Sequence, residues 1–329
     1  MFSIAWVIII VFFALIFDFI NGFNDTANAI ATSVSTKAVS PRAAIGIAST
    51  FNFLGALSGT AVAATIGNSI VSSRDVVPLV IVAAIIGAIF WNLFTWYFGI
   101  PSSSSHALIG GLIGAVIARS GTGAVIWDGF FKILTGLITS PLVGLVLGST
   151  VMTILFWLFK GSSPVKINLK FRRLQILSAC SASFAHGSND AQKTMGIISL
   201  SLVSAGFIHT FYVPLWVKIV CALSMSAGTA FGGWRIIRTM GGKIFRIEPI
   251  NGFAADFTSS VVLYGASLLG FPVSTTHVVS SSIMGVGAAK RLKGVRWNIA
   301  RQIIIAWFVT IPSAALVSLA CYNLVIMFM

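Results

Sequence analysis

The chain has 329 residues, 57% of them hydrophobic and only 9% charged, with a mean hydropathy of +0.98. About a quarter of an ordinary soluble domain is charged, so this composition excludes a water-soluble globular protein. The net charge of +14 would suit nucleic acid, but the basic residues gather in short linkers between apolar runs. That is the distribution expected of cytoplasmic loops, and nucleic acid is not an expected partner.

Long apolar runs recur along the chain and predict an all-α integral membrane protein of roughly ten to twelve segments, counting re-entrant ones. A β-barrel would alternate polar and apolar residues, which these runs do not. The first run, Ile4–Ile20, lacks a basic start and a small-residue cleavage site, so it is expected to be mature structure. Asn21–Asp25 interrupts it, and Asn and Gly beside Asp predict a broken or unwound turn before helix resumes at Thr26–Ala31. A basic loop at Lys37–Arg42 carries Pro41 as a helix start. Spanning candidates follow at Ala43–Ile66 and Val76–Phe98, separated by the polar stretch Gly67–Asp75. Pro101–Ala118 is short, Gly-rich and opens with four serines. Ala124–Lys160 is too long for one ordinary crossing and is expected to tilt, to break at Ser140–Pro141 or to form a hairpin.

Gly161–Leu174 combines Gly, Ser and Pro with Lys160, Lys166, Lys170, Arg172 and Arg173, and reads as the boundary between halves. The expected organisation is a first transmembrane repeat at 1–158, a basic cytoplasmic linker at 159–174 and a second repeat at 175–329. The second half has its expected break within Ser178–Leu202. Further candidates are Val213–Phe231, Phe253–Leu269, the short Pro272–Ala289, and Asn298–Val325. Basic linkers at 160–173, 235–246 and 290–301 are expected in the cytoplasm, touching anionic lipid. Arg172–Arg173 and Lys290–Arg301 must then share a side. Cys180, Cys221 and Cys321 have no metal-ligand spacing and read as small buried hydrophobes.

Two polar constellations occur twice in the same order. Asn21-Gly22-Phe23-Asn24-Asp25 is followed by Pro101-Ser102-Ser103-Ser104-Ser105-His106. His186-Gly187-Ser188-Asn189-Asp190 is followed by Pro272-Val273-Ser274-Thr275-Thr276-His277. The aspartates lie 165 positions apart and the histidines 171, and Trp127 with Pro141 is echoed by Trp297 with Pro312. A duplicated chain with charges and hydroxyls at hydrophobic depth points to a secondary transporter whose site lies where the repeats meet. Breaks in corresponding places favour inverted topology.

A charge at the bilayer centre costs several kcal/mol unless paired or wet, so Asp25 and Asp190 need a reason to be there. With Asn21, Asn24, Asn28, Asn189 and Gln192 nearby, they could form an oxygen cage for Na⁺ or carry a proton. Each Asp could instead cap the resumed helix. The hydroxyl runs have the composition of helix starts, where free N–H groups and a positive dipole attract anions. Two such ends could grip one tetrahedral oxyanion, or simply bond their own backbone. His106 and His277 read foremost as fixing the local turns, and no spacing supports a resident metal site. Lys193 near the anion would cancel charge and replace a cation on its side, making the halves unequal. Asp18, Asp128, Glu248 and Asp256 show no obvious partners.

The stretches Gly22–Ala29 and His186–Gly196, with the Pro-Ser-Ser-Ser-Ser-His and Pro-Val-Ser-Thr-Thr-His segments, resemble the inorganic phosphate transporter (PiT) family. The resemblance runs from about Asp18 to Pro312. It implies symport of inorganic phosphate with cations through inverted repeats carrying re-entrant helical hairpins, with the anion between the hairpin tips. On that basis Ser102–Ser105, Ser274, Thr275, Thr276, Asn24, Asn189 and Lys193 are the expected phosphate ligands. Asp25, Asp190, Asn21, Asn28 and Gln192 are expected to serve the coupling cation, supported by His106, His277, Thr26 and Thr194. No cofactor is expected beyond the co-transported Na⁺ or H⁺, and a homodimer is left open. Sulfate is the main alternative cargo. A channel would lack the binding step that the duplicated charges suggest. A serine hydrolase is disfavoured because each hydroxyl run abuts its His without a strand-turn-helix elbow.

Overall fold

A computed structural model describes residues 4–69, 77–231, 237 and 244–328. All described regular structure is helical. The elements are α1 (Ile4–Ser35), α2 (Pro41–Leu57), α3 (Ala61–Ser69), α4 (Pro78–Phe98), α5 (Ser104–Ser120) and α6 (Trp127–Leu158). The second half gives α7 (Pro164–Ser204), α8 (Leu215–Phe231), α9 (Pro249–Leu268), α10 (Thr275–Lys290) and α11 (Trp297–Phe328). Among them α1, α4, α6 and α11 are each long and apolar enough to cross a membrane alone. The chain is a multi-pass membrane protein.

The helix breaks do not fall where Asn, Gly and Asp predict them. α1 runs without interruption through Asn21–Asp25, and α7 through Ser188–Asp190. Those residues cost at most about 1 kcal/mol each in helix propensity. Opening the backbone in so buried a site would strand N–H and C=O groups at several kcal/mol each. A break lies instead at Ser58–Thr60, where α2 and α3 meet at a bend of 68°. Gln192 on α7 makes that bend tenable, because its Oε1 accepts from the Val62 N–H (2.8 Å) at the orphaned start of α3. The long run Ala124–Lys160 resolves into a single helix, α6, with Pro141 inside it. Ser140 Oγ donates to the Leu137 carbonyl (3.4 Å), which Pro141 cannot reach for want of an N–H.

Packing repeats between the halves. α1 crosses α8 as α7 crosses α2, and α1 and α7 pack on each other at the centre. α5 lies between α4 and α11, and α10 between α9 and α6, so each short serine-led helix is held by the last long helix of the opposite half. Such crossings in lipid rely on small residues that let backbones approach. Gly22 faces the Met225 carbonyl and Gly228 the Phe19 carbonyl at one crossing. Gly187 faces the Asn52 carbonyl and Gly55 the Phe184 carbonyl at its counterpart. The lipid-facing surface is apolar, with Trp157 82% and Phe308 72% exposed.

The described parts of the basic segments pack on one another and on the start of α9. Phe171 packs edge-on against Phe253 (5.2 Å) and Phe159 (5.4 Å), Lys290 pairs with Glu248 (2.7 Å), and the Arg296 N–H bonds the Ile244 carbonyl (2.9 Å). Glu248 thus has Lys290 as a partner that its sequence neighbours do not announce. The segment 159–174 is a turn leading into the exposed first turns of α7, with Lys166, Lys170, Arg172 and Arg173 at its surface. Arg235, Arg238 and Lys243 of the middle basic cluster lie outside the described residues. Cys221 is buried, whereas Cys180 and Cys321 are half-buried.

A methyl group at Gly22 or Gly187 would meet carbonyl oxygen on the facing helix. Gly22→Ala and Gly187→Ala should each destabilise the protein by roughly 1–3 kcal/mol, as overpacking does. Gly46→Ala, with nothing within 4 Å of the added carbon, should leave stability unchanged or raise it. Unfolding temperatures of the purified variants in detergent check this, and equal melting of all three would contradict it.

Candidate functional site

α1 carries Asp18, Asn21, Asp25, Asn28 and Thr32 at alternating spacings of three and four, so all share one face of the helix. The face is buried: none of these five residues is more than 4% exposed. α7 presents Ser178, His186, Asp190 and Lys193 in similar fashion. Where the two stripes meet, ligand atoms of Asp25, Asp190 and His186 lie within 4.8 Å of one another. His186 Nδ1 donates to Asn52 Oδ1 (2.9 Å), and its Nε2 stands 3.4 Å from Asp190.

The starts of α5 and α10 close over this pair of carboxylates. Ser104 Oγ lies 2.6 Å from both Asn21 Oδ1 and Asp25 Oδ2, and it has one proton to give. Thr275 Oγ1 donates to Asp190 Oδ2 (3.1 Å). Thr276 Oγ1 donates to Asp25 Oδ1 (3.0 Å) and accepts from Asn28 Nδ2 (2.9 Å). Ser105 Oγ donates to the Val273 carbonyl (3.0 Å) and accepts from Lys193 Nζ (2.5 Å). Each tip therefore bonds the aspartate of its own half through its first hydroxyl, and crosses to the other half through its second.

Three of the seven tip hydroxyls serve the turns instead. Ser102 is tied to Thr95 (2.7 Å) at the end of α4. Ser103 and Ser274 cap α5 and α10 by accepting from the N–H groups of His106 (3.2 Å) and His277 (3.3 Å). His106 bonds Ser103 through Nδ1 (2.8 Å) and packs on His277 (4.5 Å between centroids), which stacks on Trp307 (3.9 Å). The two histidines join the tips to each other. No carboxylate is bonded to either ring among the described residues, so Ser103 and His106 form no hydrolytic triad.

Asn24 Nδ2 donates to the Asn92 carbonyl (3.2 Å) and Asn189 Nδ2 to the Phe271 carbonyl (3.3 Å), each anchoring its motif to the approach of a tip. Gln192, expected beside a cation, is spent on the start of α3, on the Ser188 carbonyl (2.6 Å) and on Ser267 (3.2 Å). The Thr26 side chain lies outside the described residues. Thr194 Oγ1 donates to Asp18 (3.0 Å), and Asp256 accepts from Thr32 (2.7 Å) and Ser178 (3.2 Å). Asp18 and Asp256 thus have hydroxyl partners on other helices, which their own sequence surroundings do not reveal. Asp18 could have been placed by the polar stripe on α1; for Asp256 we find no such signal.

The two half-sites correspond at one position, since Asn28 and Lys193 each sit three residues after an aspartate and each bonds both it and a tip hydroxyl of the opposite half. The phosphate transporter family model matches the chain twice, over residues 21–170 and 159–318. A probable low-affinity inorganic phosphate transporter of Bacillus subtilis is 52% identical over 96% of both chains. One from Rhizobium meliloti is 49% identical over 94% of this chain and 93% of its own. The fold is similar to that of a solved sodium-dependent phosphate transporter, with a TM-score of 0.89 and 27% identity over 99% of this chain and 100% of the other. The chain belongs to the phosphate transporter family.

Proposed function

We propose that the chain imports inorganic phosphate by secondary active transport, with Na⁺ or H⁺ as the co-transported cation. The anion lies between the starts of α5 and α10, and the cation at the Asp25–Asp190 pair. The observation that carries this is the convergence of the two tips and the two carboxylates in one hydrogen-bonded cluster. The tips supply helix N-termini and hydroxyl donors, which suit a tetrahedral oxyanion. Four hydroxyls face the cluster, those of Ser104, Ser105, Thr275 and Thr276, and these rather than Ser102, Ser103 or Ser274 are the proposed phosphate ligands.

Coupling follows from competition for the same protons. Without a cation, Ser104 and Thr276 are held by the Asp25 carboxylate (2.6 and 3.0 Å). A cation on Asp25 takes over that acceptor and releases both hydroxyls to the anion. Each ligand then tightens the other, as linkage requires. An inside-negative potential opposes anion entry by about 2.3 kcal/mol per charge per 100 mV, so the cation also supplies driving force. The basic segments 160–173 and 290–301 are proposed to face the cytoplasm and anionic lipid. Lipid covers the apolar outer faces of α4, α6 and α11, and a homodimer would use part of that surface. Uptake of labelled phosphate into proteoliposomes under separate Na⁺ and H⁺ gradients tests the function. Concentrative, saturable uptake is expected, and mere equilibration would refute it.

Ser104→Ala and Thr275→Val should each weaken phosphate binding by roughly 1–3 kcal/mol, about tenfold or more in Kd, as for a lost bond to a charged group. Ser102→Ala should bind like the parent. Calorimetry on purified protein distinguishes these outcomes.

Asp25→Asn should abolish concentrative uptake and remove the cation dependence of phosphate affinity, while leaving folded protein in the membrane. A variant whose phosphate affinity still rises with the cation would show that Asp25 takes no part in coupling.

A further inference from the structure

Asn28 and Lys193 share a bond pattern in the two half-sites but not a chemistry. In the first half, neutral amides flank the carboxylate, with Asn21 four residues before Asp25 and Asn28 three after. In the second, both places hold basic side chains, His186 and Lys193. Asn28 Nδ2 bonds Asp25 (3.1 Å) and Thr276 (2.9 Å). Lys193 Nζ bonds Asp190 and Ser105, the corresponding atoms of the other half. Lys193 is 0% exposed, and its ammonium group is the cationic partner of Asp190.

The oxygens left over differ at one position. Asn24 Oδ1 and its counterpart Asn189 Oδ1 are both buried without a hydrogen-bond donor among the described residues, whereas Asn28 Oδ1, likewise without one, has no counterpart on Lys193. With Asp25, to which its amide is bonded, Asn28 offers oxygen to a hard cation, and buried acceptors are seldom left without a partner. On the other side the positive charge is already present, fixed to the backbone by four methylene groups.

Resting on the reading that a cation binds at Asp25, we infer that Lys193 is a tethered counter-ion for Asp190. It stands where a second co-transported cation would otherwise bind. The protein consequently moves one cation fewer per phosphate than its two carboxylates could carry. The fixed charge keeps the Asp190 half ready for the anion at any cation concentration. The Asp25 half becomes ready only when a cation arrives.

The test is to restore the amide. Lys193→Asn should convert the second half-site into a copy of the first. Its phosphate uptake in proteoliposomes should fall about tenfold or more at low cation and recover as the cation is raised. The Hill coefficient for the cation should increase by about one, as should the charge moved per phosphate, read from the reversal potential. Lys193→Met, which supplies neither charge nor oxygen, should not recover. Sodium is titrated at fixed pH and pH at fixed sodium, so that either driving ion is detected.

Unchanged stoichiometry in Lys193→Asn would overturn the inference. So would a folded variant that binds no phosphate at any cation concentration, since Lys193 would then be an anion ligand. Should Lys193→Asn fail to fold, Asn28→Lys carries the reciprocal test, and it should bind phosphate without requiring a cation. If it still requires one, the inference is wrong. Failure of the parent to transport phosphate with a cation would instead refute the underlying function.

Discussion

Two carboxylates held within 4.8 Å of each other, away from water, set the terms for the rest of the molecule. Two full negative charges at that separation repel by roughly 3–4 kcal/mol even at an effective dielectric of 20. Everything around Asp25 and Asp190 answers that repulsion. Lys193 neutralises Asp190, which also accepts from Thr275, while Asp25 accepts from Ser104, Thr276 and the Asn28 amide. What the protein leaves unfinished is the compensation at Asp25, and a transported cation can complete it. That remaining repulsion is what would give the proposed site its affinity for a cation.

The fold exists to bring these groups together without opening a backbone to lipid. Glycine notches let α1 and α7 sit close to α8 and α2, so that both polar stripes reach the centre as intact helices. Among the described residues, the short helices α5 and α10 are the ones that bring their N-termini to the carboxylates. Each is clamped by the long final helix of the opposite half, α11 or α6. A movement of one half against the other would therefore drag the tips past the carboxylates. Ser105 and Thr276 bridge the halves at that point, so the bonds around the proposed anion site are the same ones that a rocking motion would alter.

Much of this was legible in the chain itself. The duplicated Asn-Asp and Pro-Ser/Thr-His segments marked the elements that meet, because polar groups at hydrophobic depth survive only with partners. The helix breaks were misplaced because local propensity at Asn21–Asp25 is weaker than the penalty for unpaired backbone in the membrane. Gln192 could not be assigned from its neighbours, since its partners at Val62 and Ser267 lie far along the chain. Ser102 and Ser103 looked equivalent to Ser104 and Ser105 in the sequence. Only the direction of the turn before α5 separates those that cap or brace it from those that face the carboxylates. Asp18 was recoverable from its spacing on α1, whereas Asp256 depends on hydroxyls of two other helices.

The central claim is that one site is built by both halves, with the tip hydroxyls exchanged between carboxylate and anion. A cryo-electron microscopy structure with phosphate and the driving cation bound tests it most directly. The account predicts phosphate between Ser104, Ser105, Thr275 and Thr276, a cation on Asp25, and Ser104 and Thr276 turned from that carboxylate toward the anion. Phosphate bound elsewhere, or bound while both hydroxyls still donate to Asp25, would contradict it.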